Sequence, residues 1–569
     1  MADTPLIKKI RTSQGDVSID YNALVNKPES ATEKKSGLVK AKAKTDADTV
    51  EVKIGSNGML YVPTYPDVLL SGIENYYALR RTGKVYQTKL WKFAKNPASA
   101  GEKLLDNAGL EFTPATDTDA GQDSYENIPM FEWRYVNYKR YPDGTPYPIA
   151  LEGTSGYSET GLVDVGAMQM SFYYNWDASN AEYDLITVSD TPHPELGLKP
   201  WPECVRADGT VLPWCIGSAY VSGTASDGML RSQPGLKPAR DQSHNKLIVN
   251  YAKKGAGYFG AGAVHNLFQI VMIAIKCATK NSQSVFGGCT NYSFQYEASV
   301  QSADKHTYFP LSNANAANLL VGSYVSVGHG ILKDDGTIDA DRARPDIHAY
   351  ADDVKIKAIT TLDKNNKKVE LDIPSGSAFA TTPVALNDTV NAPILLSCMH
   401  WWSGSTKKVL GHHDGSPGSL TDNKHPYRIQ GREYAVGGCT IASDVVLDSQ
   451  TDYTKKVYVA EKGTAHSNNE ATIKSTYKDC GTIPTSGENK DFWVGDIGVD
   501  VATGAWYPKT VGASDSQGFA DHVYPGSTNA SVREYLQGGA LGLGAHAGSA
   551  FLNCRGGLGG SSWDFLGRD

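Results

Sequence analysis

Several absences bound what this chain can be. None of its eight cysteines (Cys204, Cys215, Cys277, Cys289, Cys398, Cys439, Cys480 and Cys554) forms a C-x-x-C pair. Thiolate zinc sites therefore have no spacing to use, and buried free thiols are expected, with a Cys204–Cys215 bridge left open by spacing alone. Positive charge is short: 54 Lys and Arg stand against 62 Asp and Glu, for a net charge of −8 and a pI near 5.9. A nucleic-acid binder needs a basic patch to displace counterions, so no nucleic-acid partner is expected. The longest apolar run, Ile270 to Ile275, is too short to span a bilayer, so no membrane insertion is expected. The opening MADTPLIKKIRTSQGD has no apolar stretch of the secretory kind, and synthesis in a cytoplasm is expected. No internal repeat, coiled-coil heptad, G-x-S-x-G elbow or Walker-type loop is present.

What could pass for chemistry is weak. Gly255 to Gly262 contains a literal G-x-G-x-x-G, but no acid follows about 20 residues on to hold a ribose. His412, His413 and Asp414 are adjacent, with His400 and His425 nearby. Neighbouring residues on a strand point to opposite faces, so a solvated loop is favoured over a metal site. The acidic pairs Asp117 with Asp119 and Asp352 with Asp353 lie in polar surroundings, unlike carboxyls opposed across a substrate. The chain is read as a non-enzyme with no catalytic residue, cofactor or metal ligand.

The positive signals describe an α+β, β-rich fold. Ile7, Ile10, Val17, Ile19 and Tyr21 alternate weakly around Gly15-Asp16, giving a strand pair or extended arm over residues 1–28. Glu29 to Asp48 is a polar spacer without aromatics. Thr49 to Ile54 and Met59 to Pro63 alternate across a Gly-Ser-Asn-Gly turn, predicting a hairpin that closes the 29–65 segment. One hairpin is marginal in water, whereas three packed around an axis are not, so a homotrimer is expected. Residues 66–126 read as a helical neck, with helices around Ile73 to Lys84, Leu90 to Ala98 and Ala100 to Ala108. Strands dominate after Asn127, at Pro129 to Tyr138, Gly166 to Tyr174 and Tyr183 to Val188. One buried helix runs from Val264 to Thr279, apolar on nearly every face. Short strands between residues 302 and 396 read as an insertion or an integral part. Tyr outnumbers Phe, 31 to 14, and ten Trp add to a surface suited to half-wet contacts.

Gly538 to Asp569 carries the most information. Ten of its 32 residues are glycine, which excludes regular helix or long strand, and Lys, Glu, Gln and Met are missing. Phe551, Leu552, Cys554, Trp563 and Phe565 seek burial or a partner, so the segment is expected to be ordered and to present side chains from turns. Randomising the adenines of asparagine codons yields Leu, Phe, His, Arg, Asp, Gly, Ser or Ala, and never Lys, Glu, Gln, Met or Trp. Leu541, Gly542, Leu543, His546, Phe551, Arg555, Gly556, Gly559, Gly560, Asp564 and Phe565 all fall in the reachable set.

The motif GG-x-x-x-x-G-x-x-AG-x-x-x-x-N, followed by Trp563 and a terminal Gly-Arg, resembles the variable region of proteins diversified by diversity-generating retroelements. Those proteins carry it on a C-type-lectin-like domain related to the formylglycine-generating-enzyme fold. The stretch IKKIRTSQGDVSIDYNALVNKP resembles the start of tail-fibre proteins from phages and prophages of Gram-positive gut bacteria. The blocks Tyr427 to Gly438 and Asp491 to Asp496 also look like segments of such proteins. The resemblance implies a lectin-like domain over 127–569 with a variable binding segment at 538–569. It implies a virion component assembled in the host cytoplasm, whose arm joins tail or baseplate proteins and whose partner is a host surface receptor, glycan or protein. A capsid-decorating fibre and a non-phage enzyme or sensor on the same fold are the alternatives. Leu541, Leu543, His546, Phe551, Arg555, Asp564 and Phe565 are the expected ligand contacts, with Asn553, Trp563 and Arg568 as scaffold. The oxidation chemistry of the formylglycine-generating enzymes needs a cysteine pair, and Cys554 stands alone in the terminal segment.

Overall fold

A computed structural model describes residues 65–526 and 531–569, together with the strand residues 9–12, 15–18, 53–54 and 60–61. The spacer expected at Glu29 to Asp48 lies outside the described residues. The chain is α+β and β-rich. Two compact units divide it, Met1–Tyr76 and Tyr77–Asp569. In the first, Lys9–Thr12 pairs antiparallel with Gly15–Ser18, and Lys53–Ile54 pairs with Leu60–Tyr61, as the alternation and turn chemistry predict. Helix α1, Tyr65–Ala78, begins earlier than expected and ends sooner. Past it, the carboxylate of Asp190 accepts the backbone N–H groups of Thr82 and Gly83 at 2.7 and 2.8 Å, fixing a turn where a longer helix was expected.

No helix forms around Leu90 to Ala98 or Ala100 to Ala108: one strand ends at Trp91 and another spans Glu102–Leu105, with turns and irregular chain in the rest. Val85–Trp91 pairs in full register with Tyr183–Ser189 on one side and with Glu102–Leu105 on the other. Tyr86 and Leu90 are buried there. The Lys- and Ala-rich composition favours helix locally, but burial against a five-stranded sheet overrides a preference of a few tenths of a kcal/mol per residue. These strands belong to the larger unit.

Around them the larger unit stacks further antiparallel layers. Trp133–Arg140, Pro146–Leu151, Asp164–Met170 and Trp214–Ser218 make a four-stranded sheet. Every strand of a six-stranded sheet comes from residues 295–398, so the stretch suspected as an insertion builds a sheet of its own. Helix α2, His244–Ala252, is capped by Ser243, whose hydroxyl accepts from Lys246 N at 3.2 Å. Helix α3, Ala263–Cys277, is the buried helix that the sequence predicts. Its first N–H group, on Ala263, is taken by the Asp444 carboxylate at 2.8 Å, and Ala278 in left-handed geometry stops it. Lys276 and Lys280 at its end are buried against Asp123 and Asp414 (2.8 and 2.7 Å) and Asp496 (2.5 Å). All eight cysteines are free thiols, with Cys204 and Cys215 both buried.

The terminal segment completes an eight-stranded sheet. Val532–Gln537 lies between Cys439–Ser449 and Leu552–Asn553, while His522–Tyr524 pairs parallel with Leu552–Asn553 and antiparallel with Phe492–Trp493. Phe565–Leu566 adds a parallel pair beside Cys439. Among the described residues no helix is long and apolar enough to cross a membrane.

Candidate functional site

Strand alternation builds the site. In His522-Val523-Tyr524 the middle residue is fully buried, and across the ladder it faces Phe492 on one side and Leu552 on the other, both buried. Successive side chains point to opposite faces, so His522, Tyr524 and Trp493, the cross-strand partner of His522, share the other face. The 3-10 turn Gly544–His546 lays the imidazole of His546 against them. Its ring lies 4.2 Å from that of His522 and 5.1 Å from that of Trp493, and its Nδ1 is 2.5 Å from the Tyr524 hydroxyl. Asn553 ends its short strand with its side-chain oxygen accepting from Arg555 N at 3.0 Å. That turn aims Arg555 back over the Tyr524 ring, 4.4 Å from its centroid, where Nη2 reaches both oxygens of Asp491 at 3.0 and 3.1 Å.

Burial and charge define what this face offers. The Arg555 side chain is 53% exposed and that of Asp491 29%. Trp493, Tyr524 and His546 are half-buried. Burial, then the neighbouring His546, pushes His522 down from its ordinary value near 6.5 to about 4, so it is neutral near pH 7. The result is a floor of rings edged by polar groups, with one cation and one anion that offset each other.

The expected contact residues divide between surface and core. Arg555 is exposed and His546 half-buried on one face. Leu541 and Phe551 are not available to a ligand: both are fully buried. The glycine-rich segment turns these two side chains inward while Gly542, Ala545, Arg555, Gly559 and Ser561 stay exposed. Leu541 N–H donates to Gly437 O at 3.0 Å, and its side chain comes so close that a Cβ on Gly437 would meet it at 2.9 Å. Phe551 packs under Tyr524, 5.6 Å ring to ring, in a cluster with Leu247, Tyr251 and Leu536. Leu543 and Phe565 are partly buried against the same cluster. Asp564 is partly buried on a separate patch, where burial raises its carboxyl and Ser562 donates to it at 2.5 Å. Of the residues expected as scaffold, Arg568 is buried, donates to Glu433 O and lies over the Tyr434 ring. Trp563 packs on the core beneath Arg342, at 4.9 Å, and Asn553 forms the turn that places Arg555.

Sequence reasoning missed His522, Tyr524 and the floor role of Trp493 and Asp491. His522, Tyr524 and Trp493 sit in strands of only two or three residues, too short for periodicity to announce, and Asp491 immediately precedes one of them. Of the candidate metal ligands, His400 is buried with neither ring nitrogen hydrogen-bonded among the described residues, and the others are engaged elsewhere. His412 stacks edge-on against Trp133 at 4.9 Å, His413 reaches Glu126 at 3.3 Å, and Asp414 holds Lys276. His348, Asp352 and Asp353 lie close enough to share a cation. Lys237 and Arg240 already meet those carboxylates, at 2.5 Å for Lys237 and at 2.8 and 3.0 Å for Arg240. The G-x-G-x-x-G ends at Gly260, and two residues on, at Gly262, an added Cβ would meet the Asp444 carboxylate at 2.1 Å. A carboxylate stands there where a phosphate would need a donor.

Comparison with protein-family models finds no match for this chain, and comparison with curated proteins finds none either.

Proposed function

We propose that this chain is a receptor-binding protein of a phage tail fibre, which recognises a ligand on the host-cell surface through the face of Trp493, Tyr524, His546 and Arg555. One observation carries the reading. His546 and Arg555, both reachable by adenine substitution in asparagine codons, lean on the same Tyr524 ring from turns whose neighbours are fixed in the core. Outward groups at such positions change with little cost to the fold, which is the arrangement a diversified recognition surface needs. On this reading the larger unit is a lectin-like recognition domain, and the N-terminal arm joins tail or baseplate proteins. The protein acts as a homotrimer in the virion, three copies raising weak single-site affinity through effective concentration.

Binding of the full-length protein to intact Gram-positive gut cells tests the proposal. Replacing His546 and Arg555 together with serine is expected to abolish capture while the far-UV and near-UV spectra stay unchanged. Capture that survives the double replacement places the receptor site elsewhere. The coding region gives an independent check: a neighbouring reverse transcriptase and a near-copy of the 3′ end, with adenines at the codons for residues 546 and 555, are expected.

A further inference from the structure

The receptor-binding reading leaves the ligand's chemistry open, and the composition of the face narrows it. Leu541 and Phe551, two of the apolar side chains expected to meet a ligand, are withdrawn into the core and offer nothing there. The charges cancel: Asp491 and Arg555 pair with each other, and they are the charged side chains that act on both His522 and Tyr524. An anionic polymer would therefore meet no net attraction. What remains is ring surface with polar atoms around its edge. Trp493 offers its indole N–H, His546 its Nε2, and Arg555 its Nε and Nη1; none of these atoms has a hydrogen-bond partner among the described residues. His522 Nδ1 is also without a partner, although His522 is only 7% exposed.

A sugar ring is the complement of that pattern. Its C–H faces are apolar and flat, and its hydroxyls point outward in the ring plane as donors and acceptors. Rings of Trp, Tyr and His take the former, while in-plane polar groups take the latter. We infer that this face binds a neutral saccharide, seated against Trp493, Tyr524 and His546 with its hydroxyls on Arg555, Asp491 and the free imidazole nitrogen. The inference rests on the receptor-binding reading and adds the ligand class to it.

The test uses the full-length protein on an array of neutral, uronate-bearing and phosphate-bearing oligosaccharides, beside capture of intact cells. Binding to at least one neutral oligosaccharide is expected, changing less than about twofold when salt is raised well past the screening range. Trp493→Ala should lower that binding roughly three- to tenfold, and Trp493→Phe, which keeps a ring, should retain most of it. Arg555→Ala should cost about ten- to a hundredfold. Binding confined to acidic oligosaccharides and lost in salt overturns the inference, as does neutral binding untouched by Trp493→Ala and Arg555→Ala. If no oligosaccharide binds, yet cells are captured through Arg555 and capture is destroyed by protease treatment of the cells, the receptor-binding reading stands and the saccharide is wrong. If neither oligosaccharides nor cells bind, both fall.

Discussion

His522 and His546 stack ring on ring, centroids 4.2 Å apart and planes within 17° of parallel, although one belongs to a sheet strand and the other to a turn of the glycine-rich segment. Neutral His522 packs this way at little cost, whereas a charge on it would face His546 from a site only 7% exposed. The charged groups around it are Arg555 and Asp491.

Acid should therefore loosen this contact. The unfolded chain takes up a proton at this position as pH falls through about 6.5, but folded His522 does so only near 4. Between those values protons favour the unfolded chain, so stability contributed above pH 6.5 is lost progressively toward pH 4. His244, pushed down to about 4, and His400 and His466, each to about 3, act with the same sign. A falling Tm across this window is expected, with His522→Asn removing part of the fall and leaving the remainder. A Tm slope identical in the variant would show that His522 does not titrate as described.

Glycines in the terminal segment are not equivalent. Gly548 has φ near +141°, and a Cβ there would sit 1.9 Å from the Asp521 carboxylate oxygen. Gly542 has no such constraint, its nearest neighbour being Ser293 Cβ at 3.5 Å. Gly548→Ala is expected to destabilise by about 1–3 kcal/mol, and Gly542→Ala to stay within about 0.5 kcal/mol. Paired urea titrations check both. Equal effects would mean that the segment rearranges freely.

Glu534 lies fully buried beneath Gly556 and Gly560, with one oxygen accepting from His244 N at 3.2 Å and the other without a partner. Burial pushes its carboxyl up to about 8. The neutral acid is thus the folded form, and stability present below pH 4.5 is lost as pH rises through 8. Glu534→Gln should gain about 1–3 kcal/mol relative to the parent between pH 5 and pH 9. Parallel unfolding curves at the two pH values, with no relative gain, would contradict the buried assignment.

Sequence pattern foretold what periodicity or turn chemistry could carry. Helix α3 was legible because nearly every residue from Ala263 to Ile275 is apolar or tucked inward. The pairing of Lys53–Ile54 with Leu60–Tyr61 was legible from the alternation on either side of the Gly-Ser-Asn-Gly sequence. The Val85–Trp91 strand was not, because its state is decided by Tyr183–Ser189 nearly a hundred residues away. Arg555 and His546 stood out by residue type, but their floor did not. Trp493 and Tyr524 reach the site through ladders joining three separate stretches of chain. Leu541 and Phe551 were read as outward because composition marks a position as substitutable without saying which way its side chain points.

That last distinction can be measured. Phe551 is fully buried among Leu247, Tyr251 and Leu536, so Phe551→Ala leaves a cavity that the surrounding strands fill only in part. A loss of about 3–5 kcal/mol is expected. Arg555 is 53% exposed and its partner Asp491 is 29% exposed, so solvent screens the pair and Arg555→Ala should cost no more than about 1 kcal/mol. Ligand capture should respond in the opposite order, strongly to Arg555→Ala and, once the folded fraction is accounted for, weakly to Phe551→Ala. Chemical denaturation and cell capture on the two variants give both orders at once. A Phe551→Ala protein as stable as its parent would return that side chain to the surface and reopen it as a contact.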